Sequence, residues 1–371
     1  MRGFHEKVTA RVLLIAGAGL LFGCGSGDRI AVLRGPNIVL IVSDDQGYAE
    51  MSCQGGEIPT PNLDRLAASG VRFTAGYVTA PYCSPSRAGL LTGRYQQRFG
   101  HESNPVETTN DRPEVGLPVF ERTLANHLRD AGYVTGMVGK WHLGAHPPYY
   151  PIHRGFDEFF GFLREGHYYL PPPHDGPPDH VVAHLRTREP DYNRLNPILR
   201  GEHEVQESDY LTSALSREAT SFIDRHAGRP FFLYLPFNAP HSPMQATPRD
   251  YARFPGIADR HRRVMAAMIA SMDDAVGAVL DALRRNGLDR NTMVFFLSDN
   301  GGPTKELTSK TIRSPAARGR CWKAASGFPF CSRGPTGCRG ASWNLGRSAA
   351  WTSFRPPSSL PERRCRGAGT A

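Results

Sequence analysis

The sequence predicts an α/β domain with a mostly parallel central sheet and helices on both faces, and three observations carry that prediction. Apolar runs such as Asn37 to Ser43 (NIVLIVS) and Thr292 to Ser298 (TMVFFLS) are continuous rather than alternating, as in strands buried on both faces. Helical patterns separate such runs, and strand–helix alternation argues for a parallel sheet. Short polar clusters follow the runs directly or closely: Asp44-Asp45, Lys140-Trp141-His142, His241 and Asp299-Asn300. Sheets of this kind bind ligands beyond the carboxyl ends of their strands, so these clusters mark the expected site.

Taken in order, Arg2, Lys7 and Arg11 precede an apolar run from Val12 to Phe22 that ends at Gly23-Cys24. The run is too short for a permanent span, and its positive flank and small residues fit a secretory signal over residues 1–24. Leu21-Phe22-Gly23-Cys24 also resembles a bacterial lipoprotein cleavage box, which makes Cys24 a candidate lipid anchor. The expected location is the periplasm or cell envelope. After the first strand, Pro61 to Ala67 opens a short helix closed by Gly70. Cys83-Ser84-Pro85-Ser86-Arg87 puts proline in a first helical turn, so a helix is expected to begin just after Cys83. Glu121 to Ala131 reads as a helix closed by Gly132, and Val134 to Val138 as the next strand. Residues 145–230 are rich in proline, tyrosine and histidine with weak periodicity, and long loops around the mouth of the site are expected there. Phe231 to Pro236 (FFLYLP) is another buried strand. Arg262 to Arg285 carries Val264, Met268, Met272, Val279 and Leu283 at mostly helical spacing and stops at Asn286-Gly287.

With 371 residues, the chain can form one large domain with an appendage. Its formal charge of +9 could suggest a nucleic-acid partner, but the distribution of charge argues against one. Residues 310–371 hold 12 of the 44 Lys and Arg and one of the 35 acidic residues, which leaves 32 basic and 34 acidic residues in the body. That tail also lacks Val, Asp, Tyr, His, Gln and Met, yet it contains three of the four tryptophans. It is too rich in tryptophan and cysteine for a disordered segment and too poor in β-branched residues for a folded one. Translation out of frame from near Ser309 or Lys310 accounts for such a composition. The cysteines form no evident disulfide framework: Cys24 belongs to the signal region, Cys321, Cys331, Cys338 and Cys365 to the tail, and Cys53 and Cys83 to the body.

Asp44, Asp45, Asp299 and Asn300 offer only oxygen ligands from two strand ends, the chemistry a hard divalent cation prefers. Either pair alone would read as turn or cap residues. Residue 83, at a helix start, is expected to lie near free backbone N–H groups and the positive end of the helix dipole, a favourable place for an anion. Arg87, one turn in, can add its fork of donors.

The stretch Cys83 to Arg87, read as C-x-P-x-R and continuing Ala88-Gly89-Leu90-Leu91-Thr92-Gly93, resembles the active-site signature of the type I sulfatases. In that family the cysteine is oxidised after translation to formylglycine. Gly132 to His142 (GYVTGMVGKWH) resembles a second signature of the family, and the likeness covers about Pro36 to Leu307. The resemblance implies an alkaline-phosphatase-like fold and one calcium ion (Ca2+) bound by Asp44, Asp45, residue 83, Asp299 and Asn300. It also implies hydrolysis of a sulfate ester of a carbohydrate or aryl alcohol, and a formylglycine-generating or sulfatase-maturating enzyme as partner. An aldehyde in water becomes a gem-diol, one hydroxyl of which attacks sulfur while the other collapses the resulting ester. By the same resemblance His142 takes the proton for that collapse, His241 in Ala239-Pro240-His241-Ser242-Pro243 protonates the leaving alcohol, and Lys140 holds sulfate oxygens. The family's Gly-Gly-Lys-Gly and Glu-Gly-Gly-Ile-Arg segments are missing after Asn300-Gly301-Gly302, and none of Lys305, Lys310 and Lys323 takes over the second sulfate-binding lysine. Two competing readings stay open. A phosphatase or phosphodiesterase of the same superfamily would need a Ser or Thr nucleophile and usually two transition metals. An inactive, truncated sulfatase-like lipoprotein would need no chemistry.

Overall fold

A computed structural model describes residues 35–73, 76–173, 181–182, 192–303, 308–310 and 331–333. The expected signal and Cys24 lie outside the described residues, as does most of the 310–371 tail. The elements in chain order are β1 (Asn37–Ser43), α1 (Pro61–Ser69), β2 (Val71–Arg72), α2 (Cys83–Thr92), α3 (Leu124–Asp130), β3 (Val134–Lys140) and β4 (Glu158–Phe162). They continue with β5 (Val181–Val182), α4 (Tyr192–Leu195), β6 (Leu199–Arg200), β7 (His203–Glu204), α5 (Leu211–Arg225) and β8 (Phe231–Pro236). The last are β9 (Met244–Gln245), α6 (Pro248–Tyr251), α7 (Arg260–Arg285), β10 (Thr292–Ser298) and β11 (Cys331–Arg333).

The main sheet has the order β2-β11-β10-β1-β8-β3-β4-β6-β7. Its five central strands, β10 to β4, are mutually parallel, and each short edge strand pairs antiparallel with its neighbour, so that β11 and β6 run against the central strands and β2 and β7 run with them. Alternate residues of β1 enter two separate cores. Val39 and Ile41 face the cluster built with α1, α5 and α7, whereas Ile38, Leu40 and Val42 face the one built with α2 and α3. Both faces are therefore covered, which is why β1 reads as an uninterrupted apolar run. Each fully buried large side chain contributes roughly 1.5–3 kcal/mol relative to exposure, and α7 alone buries Val264, Met268, Met272, Val276 and Val279. Among the described residues, no helix is long and apolar enough to cross a membrane.

The fold departs from the sequence reading in several places, and α2 begins on Cys83 itself rather than just after it. Residues 145–230 supply more than loops: β4 is an integral sheet strand and α5 is a 15-residue helix. The buried stripe of α5, Leu211, Ala214, Leu215, Ala219, Phe222 and Ile223, has helical spacing, but two of its six residues are alanines, which weakens the pattern. Also, β3 runs two residues beyond Val138 because Gly139 sits at φ +131°, where an added Cβ would lie 1.9 Å from the Pro236 carbonyl oxygen. Only glycine allows β3 and the end of β8 to approach so closely.

Candidate active site

Strand register builds the site. β1 and β10 pair from Asn37 with Thr292 to Ser43 with Ser298, so the two acidic pairs leave the sheet side by side. The backbone N–H of Asp299 donates to Ser43 O at 2.9 Å, and that of Asp45 to Asp299 Oδ1 at 3.2 Å. β3 ends on Lys140, and the turn after it carries His142. The helix α2 begins at Cys83, and His241 comes from the loop after β8.

All nine residues singled out from the sequence belong to this one region. Cys83 donates its S–H to Asp44 Oδ1 at 3.4 Å, and Lys140 Nζ donates to Asp44 Oδ2 at 2.5 Å. Arg87 is fully buried; its Nε and Nη2 donate to Asp299 Oδ2 at 3.0 and 2.8 Å, and Nη1 donates to Lys140 O at 2.9 Å. Asn300 Nδ2 donates to Asp45 Oδ1, and His241 Nε2 lies 3.7 Å from Asp45 Oδ2. Oxygens of Asp44, Asp45 and Asp299 and the sulfur of Cys83 all lie within 4.8 Å of one another.

Three carboxylates packed so tightly repel, and the protein answers unequally. Burial works against the charge of Asp44, but Lys140, then His241 and Arg87, override it and hold its carboxyl well below the usual range. Burial and then the Asp44 charge push Asp45 and Asp299 up to about 7. Burial, followed by Asp44, also pushes the Cys83 thiol well up, so it stays protonated and a poor nucleophile. Burial and then Lys140 lower both His142 and His241.

The donor set fits a hard dication. Three carboxylates face two cations, Arg87 and Lys140, which leaves one negative charge in excess. Asn300 Oδ1 is buried without a partner while its amide nitrogen is engaged. An orphaned amide oxygen beside clustered carboxylates is what calcium would use. The histidines differ in their free nitrogens. A carbonyl can only accept, so His142 Nε2 donates to Pro105 O at 2.8 Å and Nδ1, buried and unpartnered, keeps the lone pair. His241 Nδ1 donates to Ser242 O at 2.5 Å, which leaves Nε2 on the side of Asp45.

Sequence reasoning missed several residues. Ser84 Oγ contacts both His142 O and His101; Asn104 and Pro105 bind Ser84 N and His142; Tyr169 Oη donates to His241 O at 2.9 Å. Ser86 Oγ donates to Asp299 O. Gln46, beside the acidic doublet, is buried with both amide atoms unpartnered. Its adjacency to Asp44-Asp45 was the one signal available; the other contacts join segments remote in sequence.

Comparison with known proteins agrees with this geometry. The family described as Sulfatase matches residues 36–347. Mouse Arylsulfatase J is 35% identical over 295 residues, 78% of this chain and 46% of the mouse protein. Human N-acetylgalactosamine-6-sulfatase is 37% identical over 278 residues, 72% of this chain and 50% of the human one. The crystal structure of Ps i-CgsB in complex with k-i-k-neocarrahexaose superposes with a TM-score of 0.71 at 36% identity, covering 82% of this chain and 66% of that one. The chain thus spans about half the length of these curated relatives. Its mostly parallel sheet with helices on both faces is the alkaline-phosphatase-like fold of its structural neighbours. On two signatures, a shared fold and a match over most of its length, the chain belongs to the sulfatase family.

Proposed function

We propose that the chain is an exported sulfuric ester hydrolase that cleaves a sulfate ester through a formylglycine made from Cys83, with one calcium ion. The observation that carries this reading is the approach of residue 83, at the start of α2, to the carboxylates of Asp44, Asp45 and Asp299 within 4.8 Å. A thiol in that field is held protonated, so the position gains a use only after conversion. Calcium, held by Asp44, Asp45, residue 83, Asp299 and Asn300, would supply Lewis-acid polarisation of a sulfate oxygen and of the converted side chain. At the start of α2 the N–H groups of Ser84 and Ser86 are taken by Asn104 Oδ1 and Tyr82 O and Pro85 has none, so Lys140 supplies the fixed positive charge that faces the anion. His142 Nδ1 takes a proton, and His241, once its Nε2 beside Asp45 has been protonated, delivers that proton to the leaving alcohol. Arg87 holds Asp299 in place with two hydrogen bonds.

The names of the relatives, an N-acetylgalactosamine-6-sulfatase and a protein crystallised with a carrageenan oligosaccharide, favour a sulfated carbohydrate as substrate. The partners that follow are a formylglycine-generating or sulfatase-maturating enzyme and, through Cys24, a lipid anchor in the cell envelope. We read residues 310–371 as an out-of-frame product. The test is coexpression with a formylglycine-generating enzyme, mass spectrometry of the tryptic peptide containing residue 83, and hydrolysis of a chromogenic aryl sulfate beside a frame-restored control. Conversion with turnover that vanishes in Cys83→Ala supports the reading; turnover of phosphate but not sulfate esters by converted, frame-restored protein defeats it.

A further inference from the structure

We propose that His101 is a positioning residue for His142, acting through Ser84; the proposal rests on reading His142 as the proton acceptor. Ser84 is fully buried, and its Oγ lies 2.6 Å from His142 O and 2.6 Å from His101 Nε2. A hydroxyl has one proton and a carbonyl only accepts, so the Ser84 proton goes to His142 O and Oγ accepts from His101 Nε2–H. On the far side of His101, Nδ1, which carries no proton in this neutral tautomer, faces Gly116 O at 3.3 Å without a hydrogen bond; the segment it faces pairs with the chain after His142, Gly116 bridging to Gly144 and Leu117 N donating to Leu143 O at 2.9 Å. The short segment that carries His101 supplies Asn104 Oδ1, which accepts from Ser84 N at 2.9 Å, and Pro105 O, which accepts from His142 Nε2. Residues 101–105 thereby tie the start of α2 to the chain around His142.

His142 needs such support. Its φ of +55° lies in the left-handed region, which is strained for a residue with a Cβ. The Ser84 donor fixes the peptide plane that follows, and the Pro105 acceptor fixes the tautomer, so together they aim the lone pair on Nδ1. His101 stands outside the C-x-P-x-R stretch and makes no hydrogen bond to the carboxylates or to residue 83, so its effect on chemistry passes through Ser84.

The experiment uses the full chain, frame-restored and coexpressed with a formylglycine-generating enzyme. His101→Phe keeps a ring and drops the donor; His101→Gln keeps an N–H near the place of Nε2. The expected result is a loss of about tenfold in kcat for His101→Phe at KM within about twofold, with unchanged formylglycine content and recovery of most of kcat in His101→Gln. Ser84→Ala shows the same loss, and the double variant is no worse than either single one. Imidazole nitrogen NMR shows His142 as the Nε2–H tautomer in the wild type and as a tautomer mixture in His101→Phe. Should His101→Phe fail to fold, Ser84→Ala carries the test with the same readouts. Wild-type kcat and an unchanged His142 spectrum in the variants overturn the proposal, as does equal damage in His101→Gln and His101→Phe with lowered Tm in both. If matured wild-type protein hydrolyses no sulfate ester, the functional reading fails, and the NMR result still decides the positioning role.

Discussion

Calcium and protons should compete for the acidic cluster, and the stability of the fold should report the competition. Oxygens of Asp44, Asp45 and Asp299 lie within 4.8 Å of one another. At that separation and an effective dielectric of about 20, each carboxylate pair repels by about 3.5 kcal/mol. Arg87 and Lys140 offset part of this, and the remainder appears as carboxyls of Asp45 and Asp299 raised by burial and by Asp44 from 3.8 to about 7. Because the folded-state pKa lies above the unfolded one, the metal-free fold holds protons that the unfolded chain has released. That contribution to stability is complete below pH about 4 and is lost as pH rises through about 7. Calcium on the ionised carboxylates gives the opposite trend, since binding expels protons and strengthens with pH. At about 100 times Kd it adds about 2.7 kcal/mol, on the order of 5–10 °C in Tm for a domain of this size. Thermal unfolding in EDTA and in calcium chloride, from about pH 5 to about pH 8, measures the difference. The gap between the two curves should widen toward high pH. Asp45→Asn should close the gap and, in EDTA near pH 8, gain on the order of 3 kcal/mol, about one relieved repulsion. Identical curves in the two solutions refute the cation site, and a loss of stability by Asp45→Asn in EDTA near pH 8 refutes the repulsion argument.

Other expectations concern the frame that holds the cluster. Gly139→Ala forces a Cβ against Pro236 O at a positive φ, so loss of at least about 4 kcal/mol or failure to fold is expected; a denaturation midpoint equal to wild type would disprove the close approach of β3 and β8. Asp273, on α7, accepts from the backbone N–H of Asn62 and Leu63 and from Asn62 Nδ2, and so caps α1 from outside. Asp273→Ala should cost about 2–3 kcal/mol, with hydrogen exchange accelerated first in α1; uniform acceleration across the domain would contradict the local cap. Glu50 binds Arg262 through both oxygens in a buried pair, and Glu50→Gln should lower stability by about 3–5 kcal/mol, an effect that urea denaturation near neutral pH would expose or deny.

Much of this was legible in the sequence where one segment alone set the outcome. The runs at 37–43 and 292–298 end where the strands end, since strands covered on both faces need apolar residues throughout and the site begins with the first charge. Arg87 was placed correctly on a helix because Pro85 marks its first turn, although α2 begins on Cys83 itself rather than just after it. What escaped depends on partners far apart in sequence. Nothing near His101 announces that its ring meets Ser84, and nothing near Asn104 shows that it accepts from the backbone of α2. β4 escaped because it has only five residues with a glycine inside, and α5 because alanines dilute its stripe.

The tail can be argued from the genetic code itself. Tryptophan has a single codon, TGG, and lysine codons begin AA, so a reading that starts on the third base of Trp322 must give GAA, glutamate. In the same shifted phase the overlaps Lys323-Ala324 and Ala324-Ala325 can each spell GGC, Ala325-Ser326 can spell ATC, and Ser326-Gly327 can spell CGG. The shifted segment is then Glu-Gly-Gly-Ile-Arg. Upstream, the overlaps from Pro315 to Gly319 can spell Gly-Gly-Lys-Gly in that phase. These are the two segments that the family resemblance implies after Asn300-Gly301-Gly302, in the right order, and within them the one position where the code leaves no freedom falls on the required glutamate. The family match itself continues to residue 347, past the break in composition. Sequencing the gene is expected to show those codons and a frame change near Ser309 or Lys310, and the restored chain would regain a lysine for sulfate. Codons that spell other residues in that phase, or the present frame preserved in independent isolates, would end the argument and leave the tail a genuine part of the protein.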